Sequence, residues 1–182
     1  LDAQIAPFAE EVLDRVGLRA GERVLDVGCG CGATTLAAAE RVGAGGGATG
    51  VDISRPMLAR ARERAAAMGL NQATFVEGDA QTYAFEAGVF DAVISRFGVM
   101  FFSDPATALA NIRRALEKGG RLTFMCWRPL KENPWAAVPL MAAAQHVEMP
   151  PPPEPHAPGP FGLADGERTK RVLESAGYAE VS

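Results

Sequence analysis

A glycine-rich segment near the amino terminus constrains the fold more than any other part of this sequence. An apolar run over residues 24–27 leads into the sequence GCGCG at residues 28–32, and a helix-forming stretch follows from residue 33. Glycine tolerates backbone angles that other residues avoid, and it lets a ligand approach main-chain N–H groups without meeting a Cβ atom. The segment therefore predicts a strand, a tight turn and a helix that together form a nucleotide-type site.

Strand-forming and helix-forming segments alternate along the first two thirds of the chain. The predicted strands cover residues 23–27, 48–52, 73–77, 90–95 and 121–127. The predicted helices cover residues 33–42, 55–68, 105–116, 133–147 and 164–176, with Ser54 and Asp104 as amino-terminal caps and with Gly69 and the pair Gly119-Gly120 as turns. Such alternation is typical of parallel β-α-β units, so we expect an α/β, doubly wound, Rossmann-like and mostly parallel sheet with helices on both faces.

Composition limits the classes of protein to which this chain can belong. Its 182 residues, 48% of them hydrophobic and 22% charged, suffice for one globular domain, and a net charge of −4 argues against a nucleic-acid-binding surface. Three cysteines and two histidines form neither a disulfide framework nor a zinc pattern, so we expect a reducing, cytoplasmic environment and no metal site. No apolar run approaches the roughly 20 residues that cross a bilayer, so stable membrane insertion is not expected.

We predict a single domain over residues 1–182 with four parts. Residues 1–20 form an amino-terminal lid helix, residues 21–127 a cofactor-binding core, residues 128–163 a helix and a proline-rich cap loop, and residues 164–182 a helix and a strand. Seven prolines lie between Pro150 and Pro160, which indicates a loop. The chain begins at Leu1 and stops inside a predicted strand, so we expect it to be part of a longer protein.

Three aspartates mark the ends of the first three predicted strands, at the edge where an open parallel sheet binds its ligand. They are Asp26, Asp52 and Asp79. The glycine turn alone fits two cofactors, because its spacing also satisfies the looser dinucleotide fingerprint of nicotinamide-dependent oxidoreductases. A dinucleotide would bring a doubly negative pyrophosphate close to Asp26, whereas S-adenosylmethionine carries an ammonium, a sulfonium and no phosphate. The acidic strand ends therefore favour S-adenosylmethionine, with an NAD(P)-dependent oxidoreductase as the alternative.

The chemistry of S-adenosylmethionine suggests a role for each of these groups. The N–H groups of the glycine turn and of the helix behind it can hold the methionine carboxylate, and Asp26 can attract the ammonium directly or through water. Asp52 offers two oxygens to the ribose hydroxyls, and Asp79 can accept from the adenine amine. Ile53 and Met57 can cover the faces of the adenine ring.

Five segments in a fixed order carry a resemblance to a known family. They are VLDVGCGCG at residues 24–32, GVDIS at 50–54, EGDA at 77–80, FDAVIS at 90–95 and LEKGGRL at 116–122. Together they resemble the successive signatures of class I S-adenosylmethionine-dependent methyltransferases, nearest the small-molecule branch that includes enzymes of ubiquinone and menaquinone biosynthesis. The resemblance covers about residues 20–127. It implies a sixth strand at residues 178–182 and a sheet that is incomplete before its last, antiparallel strand.

The resemblance also implies that Ser95 and Arg96, at the end of the fourth strand, meet the methionine part of the cofactor. Cys29 and Cys31 occupy variable positions of the turn. We interpret them as small side chains that fit a tight bend, in preference to nucleophiles. The complete predicted set of cofactor-binding residues is Asp26, Gly28, Cys29, Gly30, Gly32, Thr34, Asp52, Ile53, Met57, Gly78, Asp79, Ala80, Ser95 and Arg96.

Methyl transfer from a sulfonium is an in-line displacement, so the protein chiefly holds the acceptor close to the methyl group and aligned with it. No residue is assigned as a catalytic base, and the identity of the acceptor and the oligomeric state are left open. We expect a small, mainly apolar or aromatic acceptor, with the proline loop and residues 5–16 as lids over its pocket. A cofactor-binding protein without catalysis is a further alternative. The predicted walls of the acceptor pocket are Phe97, Met100, Phe101, Trp127 and Trp135.

Overall fold

The computed structural model describes residues 2–182, with side chains from residue 5 onward, and these residues form a sheet of five parallel strands flanked by helices. The strands are β1 (Arg23–Val27), β2 (Gly47–Asp52), β3 (Ala73–Glu77), β4 (Phe90–Arg96) and β5 (Leu116–Met125). The helices are α1 (Asp2–Val16), α2 (Ala33–Val42), α3 (Arg55–Met68), α4 (Pro105–Ala115), α5 (Pro134–Ala143) and α6 (Gly166–Ser175). The predicted doubly wound α/β fold is confirmed.

The order of the strands determines where a ligand can bind. Their spatial order is β3-β2-β1-β4-β5, so the chain winds outward from β1 to β3 and then returns past β1 to β4 and β5. The helices that follow β1 and β4 consequently pack on opposite faces of the sheet. This reversal opens a crevice at the carboxyl ends of β1 and β4.

Two apolar layers hold the sheet, one on each face. Successive residues of a strand point to opposite faces, so neighbouring residues of β1 belong to different layers. Val24 packs with residues of α1 and α2, whereas Leu25 packs with residues of α4 and α6. Both side chains are fully buried, which is expected of a central parallel strand that is covered on both faces.

The carboxyl-terminal half of α1 belongs to the core, which limits the predicted lid to the other half. Val12, Leu13 and Val16 are at most 2% exposed and pack against β1, β4 and α2. The guanidinium of Arg121, on β5, also donates a hydrogen bond to the carbonyl of Val16. Only the amino-terminal half of α1, around Phe8, reaches the aromatic residues that follow β4 and β5.

The predicted start of β5 is wrong, because the Gly119-Gly120 pair lies within the strand as a bulge. Leu116 already pairs with Phe90, and Arg121 pairs with Ala92. The stretch of β5 between these two pairs is therefore longer than the facing stretch of β4. Gly119 takes a φ of 84° in this irregular part of the strand, a value that glycine adopts without strain.

The predicted sixth strand at residues 178–182 is also wrong. A strand exists through hydrogen bonds to a neighbouring strand, and among residues 2–182 none lies beside this segment. Tyr178 instead donates its hydroxyl hydrogen to the carbonyl of Leu109 at 3.1 Å, and Val181 packs against the same core. The segment is therefore held by these side-chain contacts and by a hydrogen bond from the Tyr178 N–H to the Leu173 carbonyl at 3.0 Å, without strand pairing.

Helix ends follow the predictions with two exceptions. Gly69 ends α3 with a φ of 67°, and Asp104 caps α4 by accepting the N–H of Thr107 at 3.1 Å. Ser54 was expected to cap α3, but its side chain makes no capping hydrogen bond. α5 ends at Ala143 instead of residue 147, and none of its residues is buried. Within residues 2–182, no helix has the length and the apolar character that crossing a membrane would require.

Replacing Leu13 with alanine tests the assignment of α1 to the core. Leu13 is fully buried, so Leu13→Ala should lower the free energy of unfolding by about 2–5 kcal/mol through lost apolar contact and a residual cavity. Urea unfolding followed by circular dichroism measures this change. Glu11→Ala on the same helix removes only an exposed ion pair to Arg15 and serves as the control. Equal stability of the two variants would contradict the assignment.

Candidate functional site

An open cleft of about 410 Å³ lies at the carboxyl ends of β1, β2, β3 and β4, where the strand order predicts a ligand. Eleven of the predicted site residues line it, namely Gly28, Gly30, Asp52, Ile53, Met57, Gly78, Asp79, Ala80, Arg96, Phe97 and Phe101. A second surface groove of about 510 Å³ runs between residues 81–84 and α4, and it contains none of the predicted residues. The cleft at the strand ends is therefore the candidate site.

The glycine turn is shaped by the packing of the protein as much as by access for a ligand. Gly28 has a φ of 72°, and a Cβ atom on it would lie 2.6 Å from the Cα of Gly98 in the loop after β4. Gly32 has a φ of 78°, and a Cβ there would lie 2.9 Å from Ala61 and from the ring of Phe75. Gly28 and Gly32 thus permit close contacts with other elements, while Gly28 and Gly30 also face the cleft.

Asp52, at the end of β2, is held in the cleft by main-chain donors. The N–H of Gly30 donates to Oδ2 at 2.8 Å, and the N–H of Ser54 donates to Oδ1 at 2.8 Å. A carboxylate can accept about four hydrogen bonds, so each oxygen keeps capacity for a ligand. The carboxylate is consequently fixed in place while it remains able to accept from two hydroxyl groups.

Asp79 is exposed and is tied to the loop before α4 by a glutamine that was not predicted. Gln81 donates to the carboxylate through its main-chain N–H at 2.9 Å and through its side chain at 3.0 Å. The side-chain oxygen of Gln81 accepts hydrogen bonds from the N–H and the hydroxyl of Ser103, at 2.8 and 2.9 Å. Gln81 therefore joins the end of β3 to the segment that leads into α4.

Asp26 lies behind the glycine turn, outside the lining of the cleft. Its side chain is 1% exposed, and the hydroxyl of Thr35 donates to Oδ2 at 2.7 Å. Burial raises the pKa of Asp26 from 3.8 to about 6, against the opposing effects of the Thr35 hydrogen bond and the nearby Arg96 charge. Attraction of a ligand ammonium by Asp26, directly or through water, stays a prediction, and the burial of the carboxylate favours an indirect interaction.

Five other predicted residues are buried or serve packing, and they do not line the cleft. Cys29 is 5% exposed, and burial raises the pKa of its thiol, which supports the packing role. Met100 is a core residue at 2% exposure, so the prediction that it forms a pocket wall is wrong. Gly32, Thr34 and Ser95 complete this group; Ser95 donates its hydroxyl to the carbonyl of Val27 at 2.7 Å.

Aromatic side chains stand beside the cleft at the ends of β4 and β5. The rings of Phe97 and Trp127 are stacked, with centroids 4.4 Å apart and planes 9° apart. Phe8 meets both rings edge-on at 5.5 Å, and Trp135 lies 4.8 Å from Trp127. Phe97 lines the cleft, as does Phe101, whereas Trp127 and Trp135 lie behind Phe97 outside the lining. We call Phe8, Phe97, Trp127 and Trp135 the aromatic cluster.

Phe97 takes a backbone conformation that side chains rarely adopt. Its φ is 65°, a left-handed value that is costly for a residue with a bulky side chain. Its N–H donates to the carbonyl of Met125 at 3.0 Å, and its ring is stacked on Trp127. These contacts hold the turn after β4 in the conformation that places the Phe97 ring at the cleft.

Six residues that line the cleft were not among the predictions. Gly98 carried no local signal, because it lies two residues beyond β4 and matters through its close contact with Gly28. Gln81 carried none, because its role depends on Ser103, which is distant in the sequence. The remaining four adjoin predicted residues in the chain or in the fold: Val27, Val51, Ser54 and Phe102.

The sequence of this chain is similar to those of known methyltransferases. The family model described as methyltransferase domain matches residues 24–120. Aklanonic acid methyltransferase DauC of Streptomyces sp. (strain C5) is 40% identical over 118 residues, which are 65% of this chain and 54% of that protein. Demethylmenaquinone methyltransferase of Thermus thermophilus is 36% identical over 159 residues, which are 87% of this chain and 60% of that protein. The chain thus spans little more than half the length of these relatives.

Solved structures share the fold over nearly the whole chain. Phosphoethanolamine N-methyltransferase 2 of Haemonchus contortus, in complex with S-adenosyl-L-methionine, matches with a TM-score of 0.72 and 25% identity, covering 97% of this chain and 37% of that chain. The family model and the similarity to this solved structure assign the chain to the class of S-adenosylmethionine-dependent methyltransferases. Within this class the chain belongs to the methyltransferase domain family, whose model covers more than half of its residues.

Gly98→Ala tests the close contact between the turns after β1 and β4. The φ of Gly98 is −77°, which alanine adopts freely, so only the added methyl group matters. This methyl group would overlap the carbonyl oxygen of Val27 and lie 2.9 Å from the Cα of Gly28. Urea unfolding should show a loss of about 1–3 kcal/mol in the free energy of unfolding.

Gly45→Ala is the control for this variant, because its nearest neighbour would be 3.9 Å away in ordinary contact. The control should unfold within about 0.5 kcal/mol of the wild type. If Gly98→Ala were as stable as Gly45→Ala, the two turns would not be in contact in solution.

Asp26→Asn tests the burial of the carboxylate behind the turn. Between about pH 4 and about pH 6 the folded protein holds a proton on Asp26 that the unfolded chain releases, so this group makes stability fall as pH rises. The interval from 3.8 to about 6 corresponds to about 3 kcal/mol. The free energy of unfolding of the wild type, minus that of Asp26→Asn, should therefore fall by about 3 kcal/mol as the pH rises from about 4 to about 6. A difference that is constant with pH would contradict the burial.

Proposed function

We propose that this chain binds S-adenosylmethionine in the cleft and transfers its methyl group to a small, mainly apolar or aromatic acceptor. The observation that carries the proposal is the charge of the cleft. Among the described residues, two carboxylates, Asp52 and Asp79, line it together with a single basic residue, Arg96, and Asp26 lies buried behind the turn. A phosphate-free, positively charged ligand suits this balance, whereas the pyrophosphate of a dinucleotide would be opposed by it.

The residues of the cleft fit the parts of this cofactor in turn. The Asp52 carboxylate, held by two main-chain N–H groups, would accept from the two ribose hydroxyls. Ile53 and Met57, which are 74% and 42% exposed, would cover the adenine ring, and Asp79 would accept from its amine. Burying these exposed apolar side chains against the ring would itself favour binding.

The methionine part would lie in the cleft against the turns after β1 and β4, which touch each other at Gly28 and Gly98. Gly28 and Gly30 face the cleft there, and Arg96 borders it from the end of β4. Asp26 is ionised at neutral pH, and because it is buried its negative charge is poorly screened and would attract the ammonium across the turn. The role of Asp26 is then electrostatic, without direct contact.

The acceptor would lie on the side of the aromatic cluster. S-adenosylmethionine supplies an electrophilic methyl carbon on a sulfonium sulfur, so the residues of this chain need only exclude water and align the acceptor with it. Phe97 and Phe101 provide an apolar wall of the cleft for this purpose. Two relatives are named for small-molecule acceptors, aklanonic acid and demethylmenaquinone, and both names support an acceptor with extensive apolar surface.

Calorimetric titration of Asp52→Asn tests the cofactor site. The variant replaces an acceptor oxygen by a donor, so S-adenosylmethionine should bind about ten-fold or more weakly than to the wild type. Glu86→Gln makes the same change of charge at an exposed residue that does not line the cleft, and it should bind like the wild type. Circular dichroism checks that both variants are folded.

Two outcomes would contradict the proposal. Unchanged affinity in Asp52→Asn would show that the carboxylate does not contact the ribose. Binding of NADH or NADPH by the wild type, without binding of S-adenosylmethionine, would return the site to the oxidoreductase alternative. Production of S-adenosylhomocysteine in the presence of an acceptor separates an enzyme from a cofactor-binding protein without catalysis.

A further inference from the structure

Arg96 is distinguished from the other residues of the cleft by its charge and its position. Among the described residues that line the cleft it alone carries a positive charge. It is the last residue of β4 and is half-buried, and it precedes Phe97 of the aromatic cluster. Asp52 ends β2 and Asp79 follows β3, and both strands lie on the far side of β1 in the sheet. Arg96 therefore lies between the glycine turn, where the methionine part is proposed to bind, and the aromatic cluster on the acceptor side of the cleft.

The hydrogen-bonding capacity of Arg96 is little used by the protein. Its Nη1 donates to the carbonyl of Ile5 at 3.4 Å, a long hydrogen bond, and in the part of the chain that the structure describes no carboxylate forms an ion pair with it. Asp26 interacts with its charge, but that carboxylate is buried behind the turn and bonded to Thr35. A guanidinium has five N–H donors in a planar fork that matches a carboxylate, so Arg96 can bind an anion that enters the cleft.

The described residues of the cleft offer no free base on the acceptor side. The described residues that line it include no histidine, lysine, cysteine or tyrosine. Asp52 is engaged by the N–H groups of Gly30 and Ser54, and Asp79 by Gln81, both on the side assigned to ribose and adenine. A neutral hydroxyl or a protonated amine would find no base on the acceptor side. A carboxylate acceptor needs none, because it is already ionised at neutral pH.

We infer that the acceptor is an aromatic carboxylate, whose anionic group pairs with Arg96 while its ring lies against Phe97 and Phe101. This inference rests on the proposed function and specifies its substrate class. An oxygen lone pair of the carboxylate forms the new bond to the methyl carbon, and the carbon–sulfur bond breaks with its electron pair remaining on sulfur. The products are a methyl ester and S-adenosylhomocysteine. The negative charge of the acceptor and the positive charge of the sulfonium cancel, and no proton is transferred.

The aromatic cluster explains why the acceptor is aromatic as well as anionic. The ring of Phe97 is backed by the parallel ring of Trp127 and is fixed by the left-handed backbone of the turn. Phe101 is 56% exposed at the same cleft. A flat apolar ring would bury these surfaces, and an aromatic partner adds favourable ring contacts to the area that is buried.

Binding to the complex with S-adenosylhomocysteine tests the inference by calorimetry. The probes are 2-naphthoate and its neutral analogue 2-naphthamide, which share ring and shape and differ in charge. The wild type should bind 2-naphthoate about ten-fold or more tightly than 2-naphthamide. Arg96→Gln should abolish this preference, and Arg96→Lys should restore part of it. Arg60→Gln, at an exposed arginine of α3 paired with Glu63, should leave it unchanged.

The outcomes separate this inference from the proposed function. Failure of the wild type to bind S-adenosylmethionine and S-adenosylhomocysteine would refute the proposed function itself. Normal cofactor binding without a preference for 2-naphthoate, or with a preference that survives in Arg96→Gln, would overturn only the inference. A large loss of S-adenosylhomocysteine affinity in Arg96→Gln would assign the guanidinium to the cofactor. That result would also overturn the inference that Arg96 binds the acceptor. With S-adenosylmethionine the wild type should form methyl 2-naphthoate faster than it methylates 2-naphthol, and the reverse order would contradict the carboxylate.

Discussion

The rest of this structure depends on the burial of β1 between two parallel neighbours. β1 pairs with β2 along its whole length and with β4 over its central residues, and its valines and leucine are at most 1% exposed. Because all three strands run in the same direction, they end at one edge of the sheet, and the polar segments that follow them meet there. Pairing of apolar strands therefore brings together the glycine turn, Asp52 and Arg96, although none of these groups contributes to the apolar layers.

The three aspartates at this edge have the same residue type but different environments, and the differences suit different tasks. Asp26 is buried and bonded to Thr35, so its charge acts at a distance. Asp52 is fixed by two main-chain N–H groups and faces the cleft, so it can orient a ligand with little loss of side-chain freedom. Asp79 is exposed and linked through Gln81 to Ser103, so it also positions the segment before α4. Burial and hydrogen bonding, more than residue type, distinguish the three.

Sequence patterns predicted those features that depend on neighbouring residues. The five strands, the end of α3 at Gly69, the cap at Asp104 and the location of Asp52 at the cleft all follow from local spacing and turn chemistry. The burial of Asp26 and Met100, the bulge in β5 and the irregular course of residues 178–182 depend on contacts between distant parts of the chain. Gly98 shows this limit most clearly, because its importance comes from the absence of space beside Gly28. A single sequence contains no local sign of such a contact.

The contact between Gly28 and Gly98 has a thermodynamic consequence for the two sides of the cleft. The backbones of the two turns touch, so the segment that carries Phe97 and Phe101 has no room to shift toward the glycine turn without displacing it. A ligand that stabilises one position of the turn after β1 therefore changes the relative free energies of the positions open to the turn after β4, and the converse also holds. Such linkage is reciprocal, so a cofactor that favours acceptor binding is itself held more tightly once the acceptor is present. Two glycines without side chains thus couple the turn of the proposed cofactor site to the segment that is proposed to contact the acceptor.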